Sequence, residues 1–194
     1  MFFYNLMHFL VYLPILILFP TKVVGKQNLP KGGAIYICNH QSYADVAILG
    51  NYIRRSQYFL AKKELFEKPI LKWVLKGMKV IPIDRQKPEL SSIKKCLQVL
   101  KNDKILTIFP QGTRAKKAKM EGLKDGVIMF SQKSQKPIVP MWLERTPKVF
   151  RRNRLHIGKP IYLTELYDKK YTQEELEAAE KKILLAYSEF ENFD

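Results

Sequence analysis

A histidine and an aspartate lie five residues apart in the segment Asn39-His40-Gln41-Ser42-Tyr43-Ala44-Asp45. Five residues along a regular helix rotate by about 140°, so the two side chains would diverge if both were helical. They can meet only if His40 lies in a loop and Asp45 in the first turns of a helix. The carboxylate could then accept a hydrogen bond from one ring nitrogen and leave the other as a general base. The alternative is a histidine that packs at a helix start, with Asp45 as a first-turn acid.

Short apolar segments that alternate with helical patterns must position this pair. Strands are expected over residues 34–38, 57–61, 79–83, 105–109, 138–142 and 155–157, and helices near residues 43–54, 69–76, 88–101, 123–133 and 172–190. Thr172 with Glu175 three residues later forms a capping-box pattern that opens the last helix. This order predicts an α/β fold, a single domain with a mostly covered mixed sheet flanked by helices. Sites in such folds collect at strand ends, which makes the polar turns after Cys38, Ile83 and Phe109 the candidates.

The first twenty residues predict a membrane anchor. Residues 2–20 form an uncharged run of 19 positions, which as a helix would be about 28 Å long, close to the thickness of a bilayer's hydrocarbon core. The run lacks a basic start and a cleavage site of a signal peptide, so we expect an N-terminal hydrophobic membrane-anchoring helix that is retained. A buried core helix is the alternative. Lys22, Lys26 and Lys31 follow, which places the rest of the chain on the cytoplasmic face.

Charge divides the chain into a basic body and an acidic tail. Residues 1–163 hold 30 Lys and Arg against 9 Asp and Glu, whereas residues 164–194 hold 4 against 9. Such a body attracts polyanions, whether nucleic acid, an anionic bilayer or phosphate-bearing substrates. The two cysteines, Cys38 and Cys96, show no metal-ligand spacing, so we expect buried reduced thiols and no metal site. Four large apolar side chains are expected in the core: Phe66, Trp73, Met78 and Trp142.

Six short motifs follow one another along the chain. They are His40-x-x-x-x-Asp45, Ala61-Lys62-Lys63-Glu64-Leu65, the Gly77–Arg85 segment ending in Ile83-Asp84-Arg85, Phe109-Pro110-Gln111-Gly112-Thr113-Arg114, Leu123-Lys124-Asp125-Gly126 and Pro137-Ile138-Val139-Pro140. In this order they resemble the motifs of the glycerolipid acyltransferases, the family of 1-acyl-glycerol-3-phosphate acyltransferase. The resemblance covers about residues 23–142. Together with the uncharged run and the acidic tail, it gives the expected organisation: a membrane-anchoring helix over residues 1–21 and an acyltransferase domain over 22–194, with catalytic motifs in 38–142 and an acidic helix at 172–190.

The resemblance implies that His40 is the base and Asp45 its orienting partner, with direct attack on a thioester and no acyl-enzyme. Arg85 and Arg114, with Lys62 as a weaker third member, are then assigned to the acceptor's phosphate, since a guanidinium fork suits a phosphate monoester. Gly112 would let backbone approach the phosphate, and Thr113 belongs to the same motif. Gln111 replaces the family's glutamate, and it keeps a carbonyl acceptor but loses the charge.

The expected reaction moves a fatty acyl group from an acyl thioester to the free hydroxyl of 1-acyl-glycerol-3-phosphate, giving phosphatidic acid for phospholipid synthesis. No cofactor is implied, because acyl-CoA or acyl carrier protein serves as the donor. The implied partners are membrane phospholipids, a lysophospholipid acceptor and the donor, and no nucleic acid.

Three alternatives remain open at this point. The acceptor could be glycerol 3-phosphate or another lysophospholipid, or the chain could be a noncatalytic membrane lipid binder that carries Gln111. A nucleic-acid-binding protein would use residues 114–119 and 145–159 as phosphate contacts, which explains the charge but not the pair His40 and Asp45.

Overall fold

The computed structural model describes residues 13–84, 89–111, 126–167 and 169–191. Within them lie seven strands: β1 Thr21–Val24, β2 Ala34–Cys38, β3 Gln57–Lys62, β4 Val80–Ile83, β5 Ile105–Ile108, β6 Ile138–Leu143 and β7 Asn153–Ile157. The α-helices that follow β2 within the described residues are α1 Ala44–Tyr52, α2 Pro69–Gly77, α3 Leu90–Lys101, α4 Gly126–Ser134 and α5 Gln173–Glu191. A strand lies at each of the six expected places and a helix at each of the five, although residue 88 of the expected third helix and residues 123–125 of the expected fourth lie outside the described residues.

The strands form one mixed sheet in the order β1-β7-β6-β2-β5-β3-β4. Strands β6, β2, β5, β3 and β4 are mutually parallel, and β7 is antiparallel to β6 while pairing in parallel with β1. The carboxyl ends of five strands therefore lie along one edge of the sheet, together with the amino ends of β1 and β7. The expected α/β domain with a mixed sheet flanked by helices is confirmed.

The central strand β2 is covered on both faces, which explains its continuous apolar sequence. All five of its residues are buried. Ile35 and Ile37 pack in the cluster formed with helices α3, α4 and α5, whereas Tyr36 and Cys38 pack on the opposite face with α1 and α2. His40 lies two residues after this buried central strand, so the loop that carries it leaves the sheet at its middle.

Strand β1 was not expected from the sequence. Its four residues alternate between partly buried and exposed, and it follows directly after the uncharged run. Residues 13–18 are helical, and the backbone then continues into β1 through Phe19, which packs against the core. No helix among the described residues is both long and apolar enough to cross a bilayer. The anchor itself stays a prediction, since residues 1–12 lie outside the described residues.

Two further expectations have clear outcomes. The start of α5 carries the expected capping box, because Thr172 N–H donates to Glu175 Oε2 at 2.9 Å and Glu175 N–H donates to Thr172 Oγ1 at 3.3 Å. The expected core position was wrong for Trp73 and Met78, whose side chains are 57% and 38% exposed. Trp73 lies on α2, whose packing against the sheet leaves this side chain outside, and Met78 lies in the turn after the helix.

Candidate active site

His40 and Asp45 meet at the carboxyl edge of the sheet. His40 lies in the loop two residues after β2, and Asp45 is the second residue of α1. His40 Nδ1 is 2.8 Å from Asp45 Oδ2, and the side chains are 13% and 0% exposed. The arrangement expected from the spacing, with a loop histidine and a first-turn aspartate, is the one observed.

One oxygen of Asp45 organises the whole turn. Besides His40, Oδ2 accepts the backbone N–H groups of Gln41 at 2.6 Å and Ser42 at 2.8 Å. The other oxygen, Oδ1, is buried and has no hydrogen-bond partner among the described residues. An oxygen that already faces two N–H donors can only accept from the imidazole, so Nδ1 carries the proton. In the neutral ring, Nε2 then has the lone pair that a general base needs.

The imidazole is also held from the strand next to β2. Phe109, directly after β5, stacks on the ring with centroids 4.2 Å apart and an angle of 27° between the planes. From the same turn, the Gln111 Oε1 atom accepts the backbone N–H of His40 at 3.3 Å. Gln111 therefore supplies a carbonyl acceptor at this position, which a glutamate would also provide. Phe109 was part of a recognised motif, but nothing in the sequence indicated that it would lie against His40.

Asn39 fastens the site loop to β6, a role that the sequence analysis missed. Its amide donates to the Leu143 carbonyl at 2.9 Å, and its own carbonyl accepts the Leu143 N–H at 2.8 Å. Both bonds are buried, so the side chain extends the β2–β6 ladder by one step. An asparagine directly after a buried strand was the available signal. The side-chain amide of Gln41 also donates to the Leu143 carbonyl, at 3.1 Å.

The cysteine nearest to the pair cannot act as a nucleophile. Cys38 is fully buried, and burial, followed by the charge of Asp45, raises the pKa of its thiol well above the ordinary value of 9.0. Its sulfur lies 3.4 Å from Asn39 Oδ1 inside the core. Burial likewise raises the pKa of Cys96 to about 12. The thiolate is the reactive form, so both cysteines are held in the unreactive one.

The proposed phosphate ligands are only partly described. Arg85, Gly112, Thr113 and Arg114 lie outside the described residues, so their assignment stays a prediction. Lys62, the last residue of β3, pairs with Ile83 of β4, which places it at the same edge as His40. Its side chain is 56% exposed and forms an ion pair with Glu64 at 3.2 Å.

A second ion pair at this edge joins two motifs that the sequence analysis treated separately. Lys63 Nζ lies 2.8 Å from Asp84 Oδ2, and the hydrogen bond to Asp84 raises the pKa of Lys63. Because Asp84 directly precedes Arg85 in the sequence, this pair ties the segment after β3 to the start of the segment that carries the predicted phosphate ligand. The spacing of more than twenty residues between the partners gave no signal for it.

Comparisons with known proteins agree on one family. Residues 20–144 match the family described as Acyltransferase. The chain is 34% identical over 149 residues to a 1-acyl-sn-glycerol-3-phosphate acyltransferase of Bacillus subtilis, covering 73% of this chain and 74% of that protein. It is 36% identical over 155 residues to the Saccharomyces cerevisiae protein of the same name, covering 73% of this chain and 51% of the yeast one.

Other relatives are longer than this chain. A chloroplastic 1-acyl-sn-glycerol-3-phosphate acyltransferase of Brassica napus is 30% identical over 158 residues, which span 74% of this chain and 46% of that protein. The fold resembles the crystal structure of the 1-acyl-sn-glycerophosphate acyltransferase from Thermotoga maritima, with a TM-score of 0.66 at 22% identity over 90% of this chain and 72% of that one.

Proposed function

The chain belongs to the acyltransferase family, and on that premise we propose that it transfers a fatty acyl group from an acyl thioester to the free hydroxyl of 1-acyl-glycerol-3-phosphate. The product would be phosphatidic acid for phospholipid synthesis. The observation that carries the proposal is the contact of 2.8 Å between His40 Nδ1 and the buried carboxylate of Asp45, which leaves Nε2 as the base. The Bacillus and yeast relatives are both named 1-acyl-sn-glycerol-3-phosphate acyltransferase, which supports this acceptor.

The chemistry needs one base and no covalent intermediate. Nε2 of His40 takes the proton from the acceptor hydroxyl as its oxygen attacks the thioester carbonyl carbon. The tetrahedral intermediate then expels the thiolate, the C–S bond breaks, and the imidazolium returns the proton to the leaving sulfur. Asp45 stabilises the imidazolium through the same hydrogen bond that fixes the tautomer. The raised pKa of the Cys38 thiol supports direct attack over an acyl-cysteine.

The acceptor's phosphate would be held by Arg85 and Arg114, assisted by Lys62 and by the backbone at Gly112. Parallel strands end at the edge where His40 lies, and the two arginines follow β4 and β5 in the sequence. A planar guanidinium presents two donors to a phosphate monoester, whereas lysine offers a point charge. Such binding fixes the glycerol hydroxyl near the base, and this positioning lowers the barrier.

Membrane association and the donor complete the proposal. Residues 2–20 would anchor the chain, with the catalytic domain at the cytoplasmic face and membrane phospholipids as its surroundings. The donor would be acyl-CoA or acyl carrier protein, both of which are anionic and suit the basic body. Deleting residues 1–12 should release much of the protein from membranes, and the remaining attachment should weaken in high salt. Unchanged attachment at high salt would argue against the anchor.

A panel of acceptors tests the function directly. Purified protein is given radiolabelled acyl-CoA or acyl carrier protein with 1-acyl-glycerol-3-phosphate, glycerol 3-phosphate, lysophosphatidylcholine or monoacylglycerol. Labelled phosphatidic acid should dominate. Preferred labelling of glycerol 3-phosphate or of another lysophospholipid would change the acceptor but keep the reaction. Absence of turnover with every acceptor, while the protein binds vesicles, would indicate a noncatalytic lipid binder.

A further inference from the structure

The loop between β6 and β7, residues 144–152, carries exposed apolar side chains at its tip. Val149 is 48% exposed and Phe150 is 72% exposed. Phe150 also has φ at 57°, in the left-handed region. A bulky side chain is strained in this region, which glycine and asparagine adopt readily. Neither burial nor local backbone preference accounts for a phenylalanine at this position, which points to a partner outside the domain.

Positive charges surround the apolar tip. Four exposed basic side chains belong to the loop: Arg145, Lys148, Arg151 and Arg152. The only acidic residue of residues 144–152, Glu144, is buried and bonded to His156 at 2.6 Å. Its other oxygen lies 3.9 Å from Arg145, so within the loop it offsets the charge of Arg145 and not those of Lys148, Arg151 and Arg152. An apolar centre with a basic rim is complementary to a surface that is apolar inside and anionic outside.

The same surface continues into the amino-terminal helical residues. Phe150 N–H donates to the Leu18 carbonyl at 2.7 Å, which attaches the loop to the end of helical residues 13–18. Leu13 and Ile17 of that segment are 47% and 57% exposed. The exposed apolar side chains therefore come from two chain segments that are hydrogen-bonded to each other, and one segment is the end of the uncharged run.

The loop is held in one shape and is connected to the candidate active site. Buried Asn153 accepts the Lys148 N–H at 3.3 Å and donates to the Arg151 carbonyl at 3.0 Å, while its backbone N–H donates to the Pro20 carbonyl at 2.8 Å. Thr146 Oγ1 donates to Gln41 Oε1 at 2.8 Å, and Gln41 is the residue after His40. A surface that docks through this loop lies at the edge of the sheet where His40 and Asp45 meet.

We propose that residues 145–152 form a membrane-docking loop, in which Val149 and Phe150 enter the apolar layer of an anionic bilayer while the surrounding arginines and lysine contact lipid phosphates. An anionic protein such as acyl carrier protein would match the charges, but an apolar tip continuous with the uncharged run favours a bilayer. Docking itself does not depend on catalysis. Its purpose, which is to bring a lipid acceptor to His40, rests on the proposed function.

Fluorescence quenching in the full-length protein tests the insertion. Phe150→Trp places an indole at the tip, and Leu185→Trp places one at a 68% exposed position on α5 as the matched control. Both variants contain the same background from Trp73 and Trp142. With anionic vesicles containing lipids brominated on the acyl chains, the added emission of Phe150→Trp should shift to the blue and be quenched, and that of Leu185→Trp should not. Equal behaviour of the two variants would overturn the proposal.

Charge reversal tests the basic rim independently of the anchor. Arg151→Glu with Arg152→Glu, introduced into the Phe150→Trp protein, should reduce the insertion of the indole into vesicles by at least about 30-fold. Loss of two basic residues near an anionic surface, at about 1 kcal/mol each, accounts for that factor, and the two new carboxylates add repulsion. Lys94→Glu with Lys95→Glu on the exposed side of α3 is the matched control and should have little effect. Equal effects of the two pairs would overturn the proposal.

Two further outcomes separate this proposal from its alternatives. If the emission of the Phe150→Trp indole does not change with vesicles but changes with acyl carrier protein, the loop is a donor-docking surface and the membrane proposal fails. If the indole inserts into vesicles while no acceptor is acylated, the docking loop stands and the proposed reaction fails.

Discussion

Replacing Asp45 by asparagine removes the negative charge beside His40 while keeping the hydrogen-bond geometry of the pair. The amide oxygen of Asn can occupy the position of Oδ2, because the Gln41 and Ser42 N–H groups at 2.6 and 2.8 Å leave no room for an NH₂ group there. The His40 Nδ1–H bond and the tautomer are then kept, and only the stabilisation of the imidazolium is lost. A hydrogen bond to a charged group contributes about 1.5–3 kcal/mol, so kcat/KM should fall about 10- to 150-fold.

Asp45→Ala removes the geometry as well. Three donors lose their acceptor in a site where the aspartate is fully buried, so unfolding free energy should fall by about 2–4 kcal/mol and activity should approach that of His40→Ala. Steady-state kinetics with 1-acyl-glycerol-3-phosphate and thermal unfolding separate the two effects. Asp103→Asn is the matched control, because Asp103 also accepts a backbone N–H, from Gly33, and bonds Lys136 at the opposite edge of the sheet.

Two results would refute this reasoning. If Asp45→Asn retains full activity, the charge does not assist His40, and Asp45 serves only to hold the start of α1. If Asp45→Asn lowers activity as much in the His40→Ala protein as in the parent, the two residues do not act as a unit.

The remaining predictions address the neighbouring turn, the phosphate ligands and the buried thiols. Gln111→Glu should keep kcat/KM within about tenfold of the parent, because a carboxylate also accepts the His40 N–H. Gln111→Leu removes this acceptor and should cost about 1 kcal/mol of stability or activation. A larger loss of kcat/KM in Gln111→Glu than in Gln111→Leu would contradict this. Arg85→Ala and Arg114→Ala should raise the KM for the acceptor by about 30- to 1000-fold with little change for the thioester, and equal losses for both substrates would make the arginines structural. Burial raises the pKa of Cys38 and Tyr187 above their ordinary values of 9.0 and 10.0, so both groups ionise more readily in the unfolded chain. The unfolding temperature should therefore fall as pH rises above about 9, and a flat profile from pH 9 to 11 would contradict the burial of these groups.

Local sequence patterns were sufficient for most of the fold. The continuous apolar segments of β2 and β5 and the capping box at Thr172 each contain the information that specifies the element. Strand β1 could not be predicted, because its four residues are stabilised by parallel pairing with β7, about 130 residues away in the sequence. The exposure of Trp73 also depends on tertiary packing, since it is decided by which side of α2 faces the sheet.

In the candidate site, too, local sequence predicts some features, and tertiary packing decides the others. The five-residue spacing of His40 and Asp45 required a loop followed by a helix, and that geometry is present. Asp45 Oδ2 also accepts the Gln41 and Ser42 N–H groups, and this depends on how tightly the loop turns, which the sequence does not show. The stacking of Phe109 depends on β5 lying beside β2, which is a consequence of the sheet order.

The measurement that tests the central claim most directly is acyl transfer by the His40→Ala protein. Parent and variant are compared in vesicles with radiolabelled acyl-CoA and 1-acyl-glycerol-3-phosphate, after circular dichroism and vesicle binding show that both are folded and attached. Loss of a general base should lower the rate by about 10²- to 10⁴-fold while folding and attachment are unchanged. Near-normal phosphatidic acid formation by a folded His40→Ala protein would contradict the account.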